Sequence, residues 1–247
     1  MIQNNLIFDL GFHNGDDTDF YLKKGFNVIA VEANPDLVSE GMKRFQKYID
    51  EKKLVLINKA VSDEPGMVNF YIHPTKSDWS SCDLNMAESD ESKSKVVSVE
   101  TVSFIDLCKE FGTPRYVKVD VEGCEIMVAK QLFSLDEKPP FVSFETSKRL
   151  YAGIFAWLYV AGYKKFQLVN QLNNLDRKTE ENQTLVEGKK IDYQFTKFSS
   201  GFFGNDLPNN KWLSYEEALT RYLKYKELKT IDNQELALGW LDVHASL

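Results

Sequence analysis

Residues 5–17 read NLIFDLGFHNGDD. An apolar run, Leu6 to Phe8, enters a turn holding Gly11 and Gly15, and acids follow at Asp16 and Asp17. A buried strand, a glycine turn and a helix opening near Asp17 form the start of an open α/β sheet, where such folds bind nucleotides. Glycine reaches backbone angles that other residues resist and lets a ligand approach the main chain. The first turn of the following helix offers unpaired N–H groups. A second apolar run, Asn27–Glu32, ends in Glu32, close to the spacing of roughly 20 residues expected of an acid that grips a ribose diol. A carboxylate suits that task because it accepts hydrogen bonds from both hydroxyls.

The same alternation continues along the chain. Further strands are expected at Leu54–Asn58, Tyr116–Val121, Phe141–Glu145 and Lys164–Val169, with helices at Asp17–Lys24, Pro35–Asp50, Ser103–Phe111, Gly123–Leu132 and Lys148–Ala161. Runs rich in Val, Ile, Leu and Phe suit strands covered on both sides. Asn34-Pro35 is a helix start, Asn capping and Pro at the first position. Met67–Ile72 alternates apolar and polar residues after a Glu-Pro-Gly turn and reads as a short strand. The polar stretch 77–95 reads as an exposed loop carrying Trp79, which either stacks on a ligand or anchors the loop. Tyr193–Phe198 reads as a strand, and the tail as two amphipathic helices, Ser214–Lys226 and Asn233–Ala245. The fold expected is an open, mostly parallel twisted sheet with helices on both faces. It forms one domain over 1–247, with a core to about residue 205 and a C-terminal helical extension over about 206–247.

The turn narrows the ligand. A dinucleotide site wants G-x-G-x-x-G, whose middle glycine admits the pyrophosphate. Here His13 stands in that place, and Asp9, Asp16 and Asp17 would repel a diphosphate. A cofactor with a ribose and a positive charge but no phosphate fits better, and S-adenosylmethionine is such a molecule.

A second cluster lies at RYVKVDVEGCE, 115–125. Val117, Val119 and Val121 share one face of a strand; Lys118, Asp120 and Glu122 share the other. Central strands are ordinarily apolar on both faces, and an unpaired buried charge costs several kcal/mol. These three therefore pair with one another, meet solvent in a cleft or meet a substrate. Glu145 ends the next strand and reaches the same crevice. Asp120 and Glu122 are candidates to take the proton of a hydroxyl nucleophile, with Lys118 orienting or tuning a carboxylate. Glu122 alternatively caps the helix after Gly123.

The segment SSGFFGNDLP, 199–208, is either a substrate-facing lid or a turn whose Phe202 and Phe203 pack on the core. A net charge of −7 argues against a general nucleic-acid binder. Three cysteines without CxxC spacing read as free thiols in a reducing compartment. His73 and His244 make no metal-ligand spacing with them, so no metal is required. With neither a signal peptide nor an apolar run long enough to span a membrane, the expectation is a cytoplasmic protein.

In order, DLGFHNGDDT, VEANP, AVSD and VKVDVEGCE resemble the FkbM-type family of class I S-adenosylmethionine-dependent methyltransferases, over about residues 5–145. The resemblance implies that Asp9, Gly11 and Gly15 form the cofactor loop, that Glu32 holds the ribose and that Asp63 lies near the adenine amine. Phe12-His13 departs from the Ala-Asn common in the family, and His13 either touches the methionine end or packs there. The implied activity is O-methylation of a hydroxyl on a sugar, polysaccharide unit or secondary metabolite, with a small-molecule or glycan acceptor. Two alternatives stand beside it: a nucleotide-cofactor (NAD-type) oxidoreductase, and a catalytically silent binding protein of the same fold. The tail helices could also pair two copies into a homo-oligomer.

Overall fold

The computed structural model describes residues 1–75, 79–83, 94–146, 149–175, 177–179, 185–228, 230–231, 234–235 and 240–247. The glycine turn joins β1 (Ile2–Leu10) to α1 (Asp16–Lys23), and β2 (Asn27–Glu32) follows. Asn34 accepts a hydrogen bond from the Asp36 N–H and so caps α2 (Pro35–Arg44). The single helix expected through Asp50 breaks at Phe45, whose buried ring turns in against Phe12, and α3 (Gln46–Asp50) resumes beyond it. β3 (Leu54–Asn58) and β4 (Ala60–Val61) come next. β5 (Met67–Ile72) then pairs antiparallel with β6 (Lys95–Val102), and β4, β6 and β5 form a small separate sheet. Most of the loop expected over 77–95 lies outside the described residues.

The alternation then resumes with α4 (Phe104–Phe111), β7 (Thr113–Val119), α5 (Glu125–Ser134), β8 (Phe141–Thr146), α6 (Tyr151–Val160) and β9 (Lys165–Asn170). β10 (Lys178–Thr179) pairs with β11 (Tyr193–Gln194), where a longer strand to Phe198 was expected. α7 (Tyr215–Leu228) matches the first tail helix, and β12 (Thr230–Ile231) pairs with β13 (Gln234–Glu235).

The second tail helix is a correction. Residues 233 and 236–239 of that stretch lie outside the described residues, and its end falls in β14 (Leu241–Ser246), a strand of the main sheet. It inserts antiparallel between β8 and β9 and bonds to both. Ladders on both sides outweigh the helical reading, and the alternation of Asp242 and His244 with Val243 and Ala245 is the strand period. Among the described residues, the C-terminal extension therefore joins one α-helix, α7, to a strand of the main sheet.

The seven-stranded sheet runs β3-β2-β1-β7-β8-β14-β9, all neighbours parallel except β14. This is an open Rossmann-like sheet whose order reverses between β1 and β7, the switch point at which such sheets bind ligands. One face packs Phe8, Val117, Val142 and Phe144 against α4, α5 and α6, and the other packs Ile7, Val28 and Tyr116 against α1 and α2. Each large apolar side chain buried this way contributes roughly 1.5–3 kcal/mol.

The segment 199–208 takes the packing role, not that of a lid. Phe203 is buried and stacks on Tyr116 at 4.7 Å, and the Ser200 N–H donates to Asp17 at 2.8 Å. Asp206 forms a fully buried ion pair with Lys24 at 2.8 Å.

Candidate functional site

At the end of β1 the chain turns through Gly11, at φ +91°, and a Cβ there would lie 1.7 Å from the Asp120 carbonyl oxygen. The crossing of β1 and β7 requires glycine at this point. Gly15, at φ +80°, has no room for a Cβ either, which would sit 2.5 Å from the Phe12 ring. Both glycines thus answer to the chain's own packing; Gly11 lines the cavity described below and Gly15 does not.

The turn delivers His13 with a positive φ, and its N–H donates to Glu32 Oε2 at 2.8 Å. The Asn34 N–H donates to Glu32 Oε1 at 2.8 Å. Glu32 is thereby fixed by two backbone amides, with lone pairs remaining on both oxygens. Burial pushes its carboxyl above the usual range against the pull of those amides. The His13 ring packs edge-on against Phe198 at 5.2 Å and faces the cavity, so it lies in the wall while its main chain orients Glu32.

Lys118 is the hub of the second cluster. Its Nζ donates to the Gly11 carbonyl at 3.1 Å and lies 3.5 Å from Asp9, 3.4 Å from Asp17 and 3.4 Å from Asp120. Burial opposes its charge, but Asp9, Asp120, Asp17 and Asp242 together hold it protonated well above the ordinary lysine range. Burial would also raise Asp120, yet Lys118 and a hydrogen bond from Glu145 bring it below the usual carboxylate range. Burial, then the charges of Asp120 and Glu122, drive Glu145 well upward, so Glu145 keeps its proton and shares it with Asp120. Burial lifts Asp9 and brings Asp17 to about 6. Thr18 Oγ1 donates to Asp9 at 2.6 Å, which leaves Asp9 Oδ1 buried without a hydrogen-bond partner.

Carboxylate oxygens of Asp120, Glu122 and Glu145 all lie within 4.8 Å of one another, close enough to share a proton or a cation. Glu122 has φ +47°, and its carbonyl accepts a short hydrogen bond from Ser81 Oγ. No side chain caps α5; Glu125, its first residue, reaches back and accepts from the N–H groups of Gly123 at 2.9 Å and Val121 at 3.2 Å, which fixes the turn ahead of the helix. Glu122 is left to face the cavity. Asp63 is exposed and lies outside the cavity wall.

One cavity of about 830 Å³ joins these groups, lined by Gly11, His13, Glu32, Lys118, Asp120, Glu122 and Glu145 among others. Ala33, Val61 and Phe70 make an apolar wall beside Glu32, and Trp79 lines the same cavity while its ring meets His73. Sequence reading missed Asp242, whose Oδ1 accepts from Gln171 at 2.9 Å and whose register partner is Glu145. Burial, then the charge of Asp120, lifts Asp242 to about 7. It also missed Tyr222, Lys226 and Trp240 at the outer end. The period-two alternation of 241–246 was the available signal for Asp242; the others carry none.

The family model described as Methyltransferase FkbM domain matches residues 9–165, well over half of the chain. No curated protein sequence matches significantly. Among solved structures, a precorrin-6Y C5,15-methyltransferase from Geobacter metallireducens GS-15 is 8% identical with a TM-score of 0.43, over 99% of this chain and 80% of that one. The C-terminal domain of the Rhodobacter capsulatus precorrin-6Y C5,15-methyltransferase is 11% identical with a TM-score of 0.40, over 76% and 75%. A SAM-dependent O-methyltransferase from Thermotoga maritima is 7% identical with a TM-score of 0.41, over 99% of this chain and only 59% of that one.

Proposed function

The chain belongs to the FkbM methyltransferase family, and we propose that it methylates a hydroxyl oxygen of a sugar, polysaccharide unit or secondary metabolite with S-adenosylmethionine. The observation that carries this reading is the charge balance of the site. Asp9, Asp17 and Asp120 surround Lys118, with Glu145 and Asp242 close by. Such a wall suits a cationic ligand and repels a diphosphate.

S-adenosylmethionine supplies a methyl group on a positively charged sulfur. The residues fit its parts: Glu32, held by two amides, accepts from the ribose hydroxyls, and Ala33, Val61 and Phe70 flank the base. Asp120 and Glu122 face the cavity and accept the hydroxyl proton as the new C–O bond forms. Lys118 keeps Asp120 ionised, and the Glu145 proton orients it. Positioning of this kind supplies much of the rate, and a proton acceptor adds about 10²–10⁴-fold.

Calorimetry tests the reading. S-adenosylhomocysteine should bind and NAD should not, and Glu32→Ala should weaken that binding about 10- to 100-fold. Unchanged affinity in Glu32→Ala removes the ribose assignment. Labelled methyl transfer to a glycan panel, compared with Asp120→Asn and Glu122→Gln, separates an enzyme from a silent binder.

A further inference from the structure

The outer end of the cavity has a chemistry opposite to its floor. Beyond Glu145 and Thr146 on β8, Arg149 stands exposed on the cavity wall. α7 brings Tyr222 and, one turn later, Lys226 to the same wall. The Lys226 ammonium lies 4.6 Å from the centre of the Tyr151 ring, which stacks at 4.9 Å on Tyr222. Tyr222 bonds the Thr146 side chain, and Trp240 lines the mouth 48% exposed.

Surface cations are ordinarily solvated. These two differ because they line the same cavity as the acids. Among the described residues neither has a carboxylate within 4.0 Å, whereas Lys24, Arg115 and Lys118 are all ion-paired. Two further wall cations are engaged elsewhere: Lys59 is paired with Glu100 at 3.0 Å, and Lys197 sits over Phe198 on the His13 side. Tyr222, Lys226 and Trp240 also lie beyond residue 165, where the family match stops.

Resting on the methyltransferase reading, we propose that the acceptor is an anionic sugar. Arg149 and Lys226 hold its carboxylate or phosphate at the mouth while a hydroxyl of the same molecule reaches Asp120 and Glu122. The gradient from acid floor to basic mouth orients such a molecule with its charge outward and its hydroxyl inward. Trp240, 48% exposed on the same wall, provides a flat face for its ring, while buried Tyr222 backs the Tyr151 ring over which Lys226 sits. A planar guanidinium matches a carboxylate or phosphate in two-point contact, and the ammonium adds a point charge.

The test uses the full chain saturated with S-adenosylhomocysteine. D-glucuronate, glucose 1-phosphate and D-glucose are titrated by calorimetry at low salt and at 0.5 M salt. At least one anionic sugar should bind about tenfold more tightly than glucose at low salt. That preference should shrink at high salt and vanish in Arg149→Gln/Lys226→Gln. The preferred probe tells carboxylate from phosphate. Equal affinities, no binding by any of the three, or a preference that survives in the double variant overturns the proposal. S-adenosylhomocysteine affinity should be unchanged in the double variant. Failure of S-adenosylhomocysteine to bind the parent chain overturns the methyltransferase reading instead, so the two failures are told apart.

Discussion

Phe8, Val117, Val142 and Ala245 lie side by side across four strands, and the next row over, Asp9, Lys118, Ser143 and His244, lies on the opposite face of the same sheet. The first row is satisfied by contact alone: apolar groups against apolar helices, with nothing left over. The second is not. Asp9 Oδ1, Asp242 Oδ2 and His244 Nε2 are buried without hydrogen-bond partners, and burial lowers His244 to about 3, which keeps it neutral. Apolar rows on both faces supply stability, and chemistry is concentrated in the polar rows of one face, which are held together by one lysine and by retained protons.

The largest expected effect is that of Lys118→Met. Three acids lose their cation, and urea unfolding at pH 7.5 should register a loss of about 3–5 kcal/mol. The loss should shrink at pH 5, because carboxyls such as Asp17, already raised to about 6, take up protons and the repulsion fades. S-adenosylhomocysteine binding should also be lost. Phe144→Ala, on the apolar face, should cost a similar 3–5 kcal/mol by cavity formation. That cost should be equal at pH 5 and pH 7.5, with ligand affinity of the folded protein intact. A pH-dependent cost there would break the contrast between the faces.

Asp242→Asn should act in the opposite sense. The folded carboxyl titrates near 7 against an ordinary 3.8, so the stability it contributes is full below the ordinary value and lost as pH rises through 7. Asparagine removes that loss and keeps the oxygen that accepts from Gln171. Denaturation should show a gain on the order of 2 kcal/mol at pH 7.5 and almost none near pH 4. Asp63→Asn sets the lower bound. Because Asp63 is exposed and off the wall, S-adenosylhomocysteine affinity should stay within about twofold in calorimetry.

Much of this was legible in order along the chain. Asn27–Glu32, Leu54–Asn58 and Met67–Ile72 are strands with the bounds their composition suggests. The alternation of Val117 and Val119 with Lys118 and Asp120 correctly separated the two faces. The capping alternative for Glu122 fails because α5 has no side-chain cap; the acid that binds the turn amides is Glu125, and only the fold of the turn selects between the two acids that flank Gly123. Gly11 and Gly15 also carry a packing constraint that the motif alone does not show, since a Cβ at either would meet Asp120 or Phe12.

By itself the sequence determined the alternating architecture, the pairing of Glu32 with a glycine turn, and a charged face on a central strand, since each is written in local periodicity and spacing. Tertiary structure alone decided that β14 enters the sheet, that Asp242 stands beside Glu145, and that Arg149 and Lys226 share a cavity with Asp120. The physical reason is that ladder bonds, shared protons and opposed charges depend on distance in space, and these partners lie tens of residues apart along the chain.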